Sequence, residues 1–196
     1  MTNPLRWRHA GNGLLLVGIL TVAGLVLHSA PDRDLQQSAI PVQGALGESA
    51  SGRNIRATVH SVAVTESVTA GNGWAGTTPG IWVVADVTVE AVVDDQGATL
   101  GTAVLRIGDL VYTASTRPQM ATVAGRGLAT GIPLTGPLMF EVPADVVSSA
   151  ASGSSTIELA VASDPRVDSL LVVPVELAEL PAQPAIEVDF PEWDAR

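Results

Sequence analysis

A two-residue alternation in residues 80–90, Gly-Ile-Trp-Val-Val-Ala-Asp-Val-Thr-Val-Glu, constrains the fold more than any other feature of the chain. The odd-numbered positions are all apolar: Ile81, Val83, Ala85, Val87 and Val89. This period predicts a β-strand with one buried face, because successive side chains of a strand point to opposite sides. The even-numbered positions change from apolar at Trp82 to charged at Glu90, as expected of a strand that emerges from a domain into solvent. We expect the other strands to pack around this one.

Six further segments show strand patterns: residues 53–66, 100–107, 110–112, 131–142, 156–162 and 169–177. A change of apolar parity near His60 predicts a β-bulge, and Gly108-Asp109 suits a two-residue hairpin turn. These patterns predict an all-β fold, an antiparallel sandwich of about seven strands over residues 52–177.

Composition excludes several classes of function. The net charge is −10, and all ten positively charged side chains are Arg, so the chain is poorly suited to neutralising nucleic-acid phosphates. The chain has no Cys, which excludes disulfides, thiolate metal sites and cysteine nucleophiles. We therefore expect no nucleic-acid partner and a domain that is stabilised by its core alone.

The N-terminal segment is predicted to anchor the protein in a membrane. Residues 13–27 carry no charge, and residues 10–30 have about the ~20-residue length that spans a bilayer as a helix. Arg6 and Arg8 precede this span, which predicts a cytoplasmic segment 1–9 and an extracytoplasmic C-terminal domain. A cleaved signal peptide is the alternative to a signal anchor, although His28 makes a poor cleavage site.

Two segments flank the predicted sandwich. Residues 31–51 show no sustained period and are predicted to be a linker. Residues 178–196 form an acidic, Pro-containing tail that is predicted to be extended. The tail carries Phe190 and Trp193 among acids, a pattern typical of segments that dock on a surface. Docking on this domain, docking on a partner and a disordered tail are the alternatives.

Residues 67–79 are rich in Gly and Thr, and they predict a long loop that contains Trp74. Trp74, Phe190 and Trp193 are the predicted partner-binding residues, with local packing as the alternative for Trp74. A turn at residues 94–97, Asp-Asp-Gln-Gly, offers oxygen ligands, but it lacks the spacing of an EF-hand loop.

Nothing in the sequence predicts catalysis. His60 is the only histidine after the predicted span, so a multi-histidine metal site is not expected there. No Gly-x-Ser-x-Gly elbow is present. We therefore predict that the protein is not an enzyme and uses no cofactor or metal.

Residues 131–143 read Gly-Ile-Pro-Leu-Thr-Gly-Pro-Leu-Met-Phe-Glu-Val-Pro. Together with residues 52–55, which open the first strand, and the strand 81–90, they resemble a known group of domains. These are immunoglobulin-like β-sandwich domains of unknown function, found in bacterial envelope lipoproteins and in membrane-anchored actinobacterial proteins. The resemblance covers residues 52–177 and implies an immunoglobulin-like sandwich. The resemblance implies no catalytic residues, because the group has no agreed activity. Unlike the lipoproteins of this group, the chain has no lipobox Cys.

These features together predict a single-pass cell-membrane protein. Its extracytoplasmic domain is expected to act as an accessory or protein-interaction module in the cell envelope, with another envelope or membrane protein as its partner. The alternative is a small-molecule or ion-binding module that uses the loop 67–79 and the turn 94–97.

Overall fold

The structure is a computed structural model that describes residues 4–29, 37–93, 98–166 and 168–194. The chain divides into two compact units, Met1–Ser38 and Ala39–Arg196.

The first unit contains one helix, α1 (Pro4–Ser29). Its segment Asn12–Ser29 has a mean hydropathy of 1.8, and its side chains are exposed. By length and composition this helix is able to cross a membrane. The helix begins at Pro4, before residue 10, where the predicted span begins. Proline is well suited to the first turn of a helix.

The second unit is a β-sandwich, as predicted. Its described strands are β1 (Ile40–Gln43), β2 (Ser49–Ser51), β3 (Ile55–Ala70), β4 (Ala75–Ala91), β5 (Thr102–Ile107), β6 (Leu110–Thr113), β7 (Leu134–Val142), β8 (Ser155–Ala160), β9 (Ser169–Val175), β10 (Ala182–Gln183), β11 (Ile186–Val188) and β12 (Glu192–Trp193). A short helix α2 (Ala144–Val147) and the 3-10 turns Gln119–Ala121, Ala150–Ser154 and Leu177–Glu179 connect some of them. The seven predicted strands correspond to β3 through β9.

The strands form two sheets that enclose the core. One sheet has the order β1-β9-β8-β5-β6, and the other has the order β10-β3-β4-β7-β12, with β2 and β11 also paired to β3. The largest buried side chains between the sheets include Phe140, Leu105, Leu138, Ile157 and Leu171. Almost all pairings between the long strands are antiparallel.

Strand β4 lies at the centre of its sheet, between β3 and β7. The inner face of β4 is fully buried from Val83 to Val89, which confirms the alternation seen in the sequence. The register between β3 and β4 shifts between Val59 and Ser61, so the predicted bulge at His60 is also confirmed. The β5–β6 hairpin turns at Gly108, whose φ of 57° favours glycine.

The predicted long loop at residues 67–79 is wrong. Strand β3 continues to Ala70 and β4 begins at Ala75, so only a tight turn separates them. The turn is closed by a hydrogen bond of 2.9 Å from the Ala70 N–H to the Trp74 carbonyl. The segment is rich in Gly and Thr and has few large apolar residues, so it shows no apolar alternation in the sequence. It is nevertheless paired as a hairpin, with Ser67 opposite Thr77.

The predicted boundaries of the sandwich are too narrow. The segment 31–51 is not a free linker throughout, because β1 pairs in parallel with β9 and β2 pairs with β3. The tail after residue 177 is also part of the sandwich, through β10, β11 and β12. These added strands have only two to four residues each and show no measurable period, so the sequence pattern does not reveal them.

Replacing Val87 with Asp is expected to lower the free energy of unfolding of the full chain in detergent micelles by more than about 4 kcal/mol. An unpaired carboxylate would then lie in the core, where Val87 is fully buried. Urea unfolding followed by tryptophan fluorescence measures this change. Val111→Asp, at a half-exposed position of β6, is the control and should change stability by less than about 0.5 kcal/mol. Equal stability of the two variants would contradict the predicted role of β4.

Candidate functional site

The outer face of β4 is more covered than the sequence predicts. Trp82 at one end of this face is fully buried, and Glu90 at the other end is only 4% exposed. The expectation of a strand emerging into solvent is therefore wrong. Other segments of the chain pack over this face and create the concave surfaces described below.

An apolar cluster covers the first part of the face. It contains Val68, Ala70, Trp82, Val84, Ala121, Met139 and Val188, with Trp74 and Ile186 packed against it. Trp74 stands edge-on to Trp82, with ring centroids 5.9 Å apart and an interplanar angle of 80°. The Arg117 guanidinium lies 5.6 Å from the centre of the Trp82 ring. The structure thus places Trp74 in local packing, with its side chain only partly exposed.

Residues 184–194 cross the same face, and we refer to them as the strap. At one end of the strap the Ser67 hydroxyl donates to the Pro184 carbonyl at 2.9 Å, and β11 runs in parallel with the end of β3. At the other end β12 pairs with β7, and the Asp194 N–H donates to the Pro133 carbonyl at 2.9 Å. The strap therefore joins the two strands that flank β4.

Gly136 allows the strap to lie close to β7. A Cβ atom at Gly136 would be 2.9 Å from the Pro191 Cα and 3.0 Å from the Pro191 Cγ. Contacts this short require a residue without a side chain. The glycine that interrupts the apolar pattern of β7 is thus explained by the approach of the strap.

A groove of about 510 Å³ lies between the strap and the sheet, and we refer to it as the strap groove. Ala63, Val84 and Pro137 supply apolar surface from the sheet, and Ile186 and Phe190 supply it from the strap. Its acidic lining residues are Asp86, Glu187, Asp189, Glu192 and Asp194. No basic residue is found among the described residues that line it. The groove thus combines apolar contacts with a strongly negative rim.

Two of the predicted partner-binding residues lie on the strap. Phe190 lines the groove and is 37% exposed, and its ring lies close to Gly71. Trp193, in β12 opposite Leu134, is 43% exposed but does not line the groove. Trp74 belongs to the apolar cluster instead. The three residues therefore do not form one site.

The sequence did not single out the carboxylates of the groove. Asp86 belongs to β4, and Glu187 and Asp189 belong to the strap, so their proximity depends on where the strap crosses the sheet. The acidity of the tail is the one sequence signal that points to these carboxylates. That signal does not indicate where on the sandwich the tail docks.

A second, smaller cavity lies further along the same face, at the end of β4. We refer to it as the Glu90 pocket; its volume is about 210 Å³, and Ser49, Arg56, Thr58, Thr88 and Glu90 line it together with Ala57 and Pro133. The Thr88 Oγ1 lies 2.7 Å from both the His60 Nε2 and the Thr135 Oγ1. Because Thr135 also lines the strap groove, the two cavities are neighbours.

The outer face of the five-stranded sheet differs in its charge. Within its described strands an ion pair joins Arg106 to Glu158, with Nε–Oε1 at 2.6 Å and Nη2–Oε2 at 3.0 Å. The hydrogen bond to Glu158 raises the pKa of Arg106 above its usual value. The pair neutralises itself and adds no net charge to this face.

The structure gives no support to the predicted alternative of an ion-binding module. The turn at residues 94–97 lies outside the described residues. In the part of the chain that the structure describes, no group of three or more His, Asp or Glu side chains is placed to hold a metal ion. The strap groove and the Glu90 pocket are thus the candidate binding surfaces of the sandwich.

No protein-family model and no curated protein matches the chain. Among solved structures, the yjhA protein from Bacillus subtilis is similar at 18% identity and a TM-score of 0.46, over 66% of this chain and 98% of that protein. An uncharacterized β-sandwich protein from Clostridium difficile 630 is similar at 11% identity and a TM-score of 0.47, over 74% and 99%. A "putative lipoprotein" from Staphylococcus aureus subsp. aureus NCTC 8325 is similar at 8% identity and a TM-score of 0.43, over 73% and 97%. These likenesses concern the fold and carry no statement about activity, and the immunoglobulin-like and actinobacterial assignment stays a prediction.

Gly136→Ala is expected to displace the strap, because the added Cβ would overlap Pro191. We expect a loss of about 1–3 kcal/mol in the free energy of unfolding, as in other overpacked sites. Faster amide hydrogen exchange in β11 and β12 should accompany this loss. Gly127→Ala is the matched control, since its Cβ would be 3.9 Å from the nearest atom. Unchanged exchange in the strap of Gly136→Ala would show that the strap does not depend on this contact.

Proposed function

We propose that this protein is a single-pass, membrane-anchored module of the cell envelope that binds a basic segment of another envelope or membrane protein. In this proposal α1 spans the membrane with its N-terminus in the cytoplasm, and the sandwich lies outside the cell membrane. The strap groove is the binding surface. This role requires no catalytic group and no cofactor.

The single observation that carries the proposal is the composition of the strap groove. Five acidic side chains line it, and none of its described lining residues is basic. Such a surface attracts cationic partners and raises their rate of association. Apolar contacts from Val84, Ile186 and Phe190 add an attraction that salt does not screen. We therefore propose an extended partner segment in which Lys or Arg alternates with apolar residues.

The exposed aromatic ring of Phe190 supports a protein partner. Aromatic side chains that remain partly exposed beside a cavity often anchor protein interfaces. Phe190 is in this state, and Trp193, three residues later on the strap, is also partly exposed although it does not line the groove. A partner that covers these rings would bury apolar surface that the isolated domain leaves in water.

The length and apolar composition of α1 support membrane anchoring. The two arginines before the span, Arg6 and Arg8, support a cytoplasmic N-terminus. The resemblance of residues 52–177 to immunoglobulin-like domains of envelope proteins is consistent with this location. That resemblance also supports an accessory role, since the group brings no catalytic residues.

Site-specific photocrosslinking in cells tests the partner. The photoreactive amino acid p-benzoylphenylalanine replaces Phe190, and the same residue at Leu110, an exposed position of the other sheet, is the control. We expect adducts from position 190 that are absent from position 110. Mass spectrometry should place each adduct in a segment that contains Lys or Arg.

The charge dependence of this interaction is tested by Asp86→Asn, Glu187→Gln and Asp189→Asn combined in the position-190 chain. Removal of three groove carboxylates should reduce the adduct at least about tenfold, because the attraction is electrostatic. The control combines Glu48→Gln, Asp109→Asn and Asp145→Asn, which change the net charge equally at exposed positions outside the groove. Equal adduct yields from the two triple variants would contradict the proposal.

A further inference from the structure

We infer that the Glu90 pocket is a separate binding site for a small zwitterion that carries a primary ammonium group and an anionic group, as an amino acid does. This site lies beside the strap groove but does not depend on the proposed protein partner. Its side chains come from three strands: Ser49 from β2, Arg56 and Thr58 from β3, and Thr88 and Glu90 from β4.

The main observation is an unsatisfied buried carboxylate. The residue Glu90 is 4% exposed, and its Oε1 accepts a hydrogen bond from the Arg56 Nη1. Its Oε2 is buried and has no hydrogen-bond partner among the described residues. Native proteins satisfy nearly all buried polar atoms, and a buried carboxylate oxygen without a donor is costly. A ligand whose binding opens access to this oxygen and donates to it would remove this cost.

Arg56 and Glu90 form an ion pair whose two members differ in burial. The Glu90 side chain is almost inaccessible, whereas the Arg56 side chain is 46% exposed. The Ser51 hydroxyl accepts a hydrogen bond of 2.9 Å from the Arg56 Nε and so holds the guanidinium in place. A ligand with an ammonium group for Glu90 and an anionic group for Arg56 matches both charges.

The hydroxyl groups of the pocket add polar contacts for such a ligand. The Thr88 Oγ1 is held by hydrogen-bonding contacts of 2.7 Å to His60 and Thr135, so its position is fixed before a ligand arrives. Ser49 and Thr58 line the same cavity. These hydroxyls are able to accept hydrogen bonds from an ammonium group.

The size of the pocket restricts the ligand. Its volume is about 210 Å³, and a cavity of about 150 Å³ is enough to hold benzene. The pocket therefore admits a molecule of up to roughly ten non-hydrogen atoms. A metal ion is a poorer match, because the described residues offer no group of three or more His, Asp or Glu ligands.

Isothermal titration calorimetry of the full chain in detergent micelles tests the inference. The probes are glycine, β-alanine and γ-aminobutyrate, which vary the distance between the two charges. Methylammonium and acetate are the single-charge controls. We expect at least one zwitterion to bind, and to bind at least tenfold more tightly than either control. Failure of all three zwitterions to bind to the folded chain would overturn the inference.

Glu90→Gln is the variant that tests the residue, because it keeps the shape of the side chain and removes its charge. We expect it to lower the affinity for the bound zwitterion at least tenfold. Glu141→Gln is the matched control: Glu141 accepts from Arg117 at 2.8 Å and does not line the pocket, so affinity should be unchanged. Far-UV circular dichroism verifies that each variant is folded.

If Glu90→Gln does not fold, Thr88→Val carries the same test. It removes one pocket hydroxyl at nearly constant volume and is expected to weaken binding severalfold. Unchanged affinity in whichever of the two variants folds would overturn the inference. The Asp86, Glu187 and Asp189 triple variant should bind the zwitterion normally, which separates this inference from the proposed function.

Discussion

The burial of Trp82 on the outer face of β4 is the constraint on which the architecture of this face depends. A strand in a sandwich has one face in the core, and its other face normally meets water. β4 has large apolar side chains on both faces near its start, so the second face also needs cover. The hairpin turn supplies Trp74, and the strap supplies Ile186 and Val188. The crossing of the strap follows from this need, and the groove lies where the strap and the sheet are not in close contact.

Polarity changes in a regular way along this face. The sequence of even-numbered positions in β4 runs from Trp82 and Val84 through Asp86 and Thr88 to Glu90. Trp82 and Val84 belong to the apolar cluster, and Asp86 lines the acidic strap groove. Thr88 and Glu90 line the Glu90 pocket, beside Arg56. The gradient that the sequence presents as a strand leaving the domain is, in the folded protein, a series of adjoining surfaces.

The sequence predicts the features that rest on local period. The inner face of β4, the bulge at His60 and the Gly108 hairpin all show themselves within a few neighbouring residues, and the structure confirms them. The burial of Glu90 is different, because it depends on Arg56 in another strand. The docking of the strap depends equally on distant residues, since Pro191 meets Gly136 far away in the sequence. Such pairings leave no periodic trace, so neither the groove nor the pocket could be located from the sequence.

The parallel pairings at the margins of the sandwich bear on the order in which it folds. β1 joins β9, and β10 and β11 join β3, so segments from opposite parts of the chain must meet; Ser67 and Pro184, for example, are 117 positions apart. Closing such long loops costs chain entropy before any contact is gained, which slows folding. The β3–β4 and β5–β6 hairpins need no such closure and can form early. The nascent domain would therefore present Trp82 covered from its own hairpin by Trp74 alone until the distant segments arrive, an interval in which chaperones and proteases have access to it.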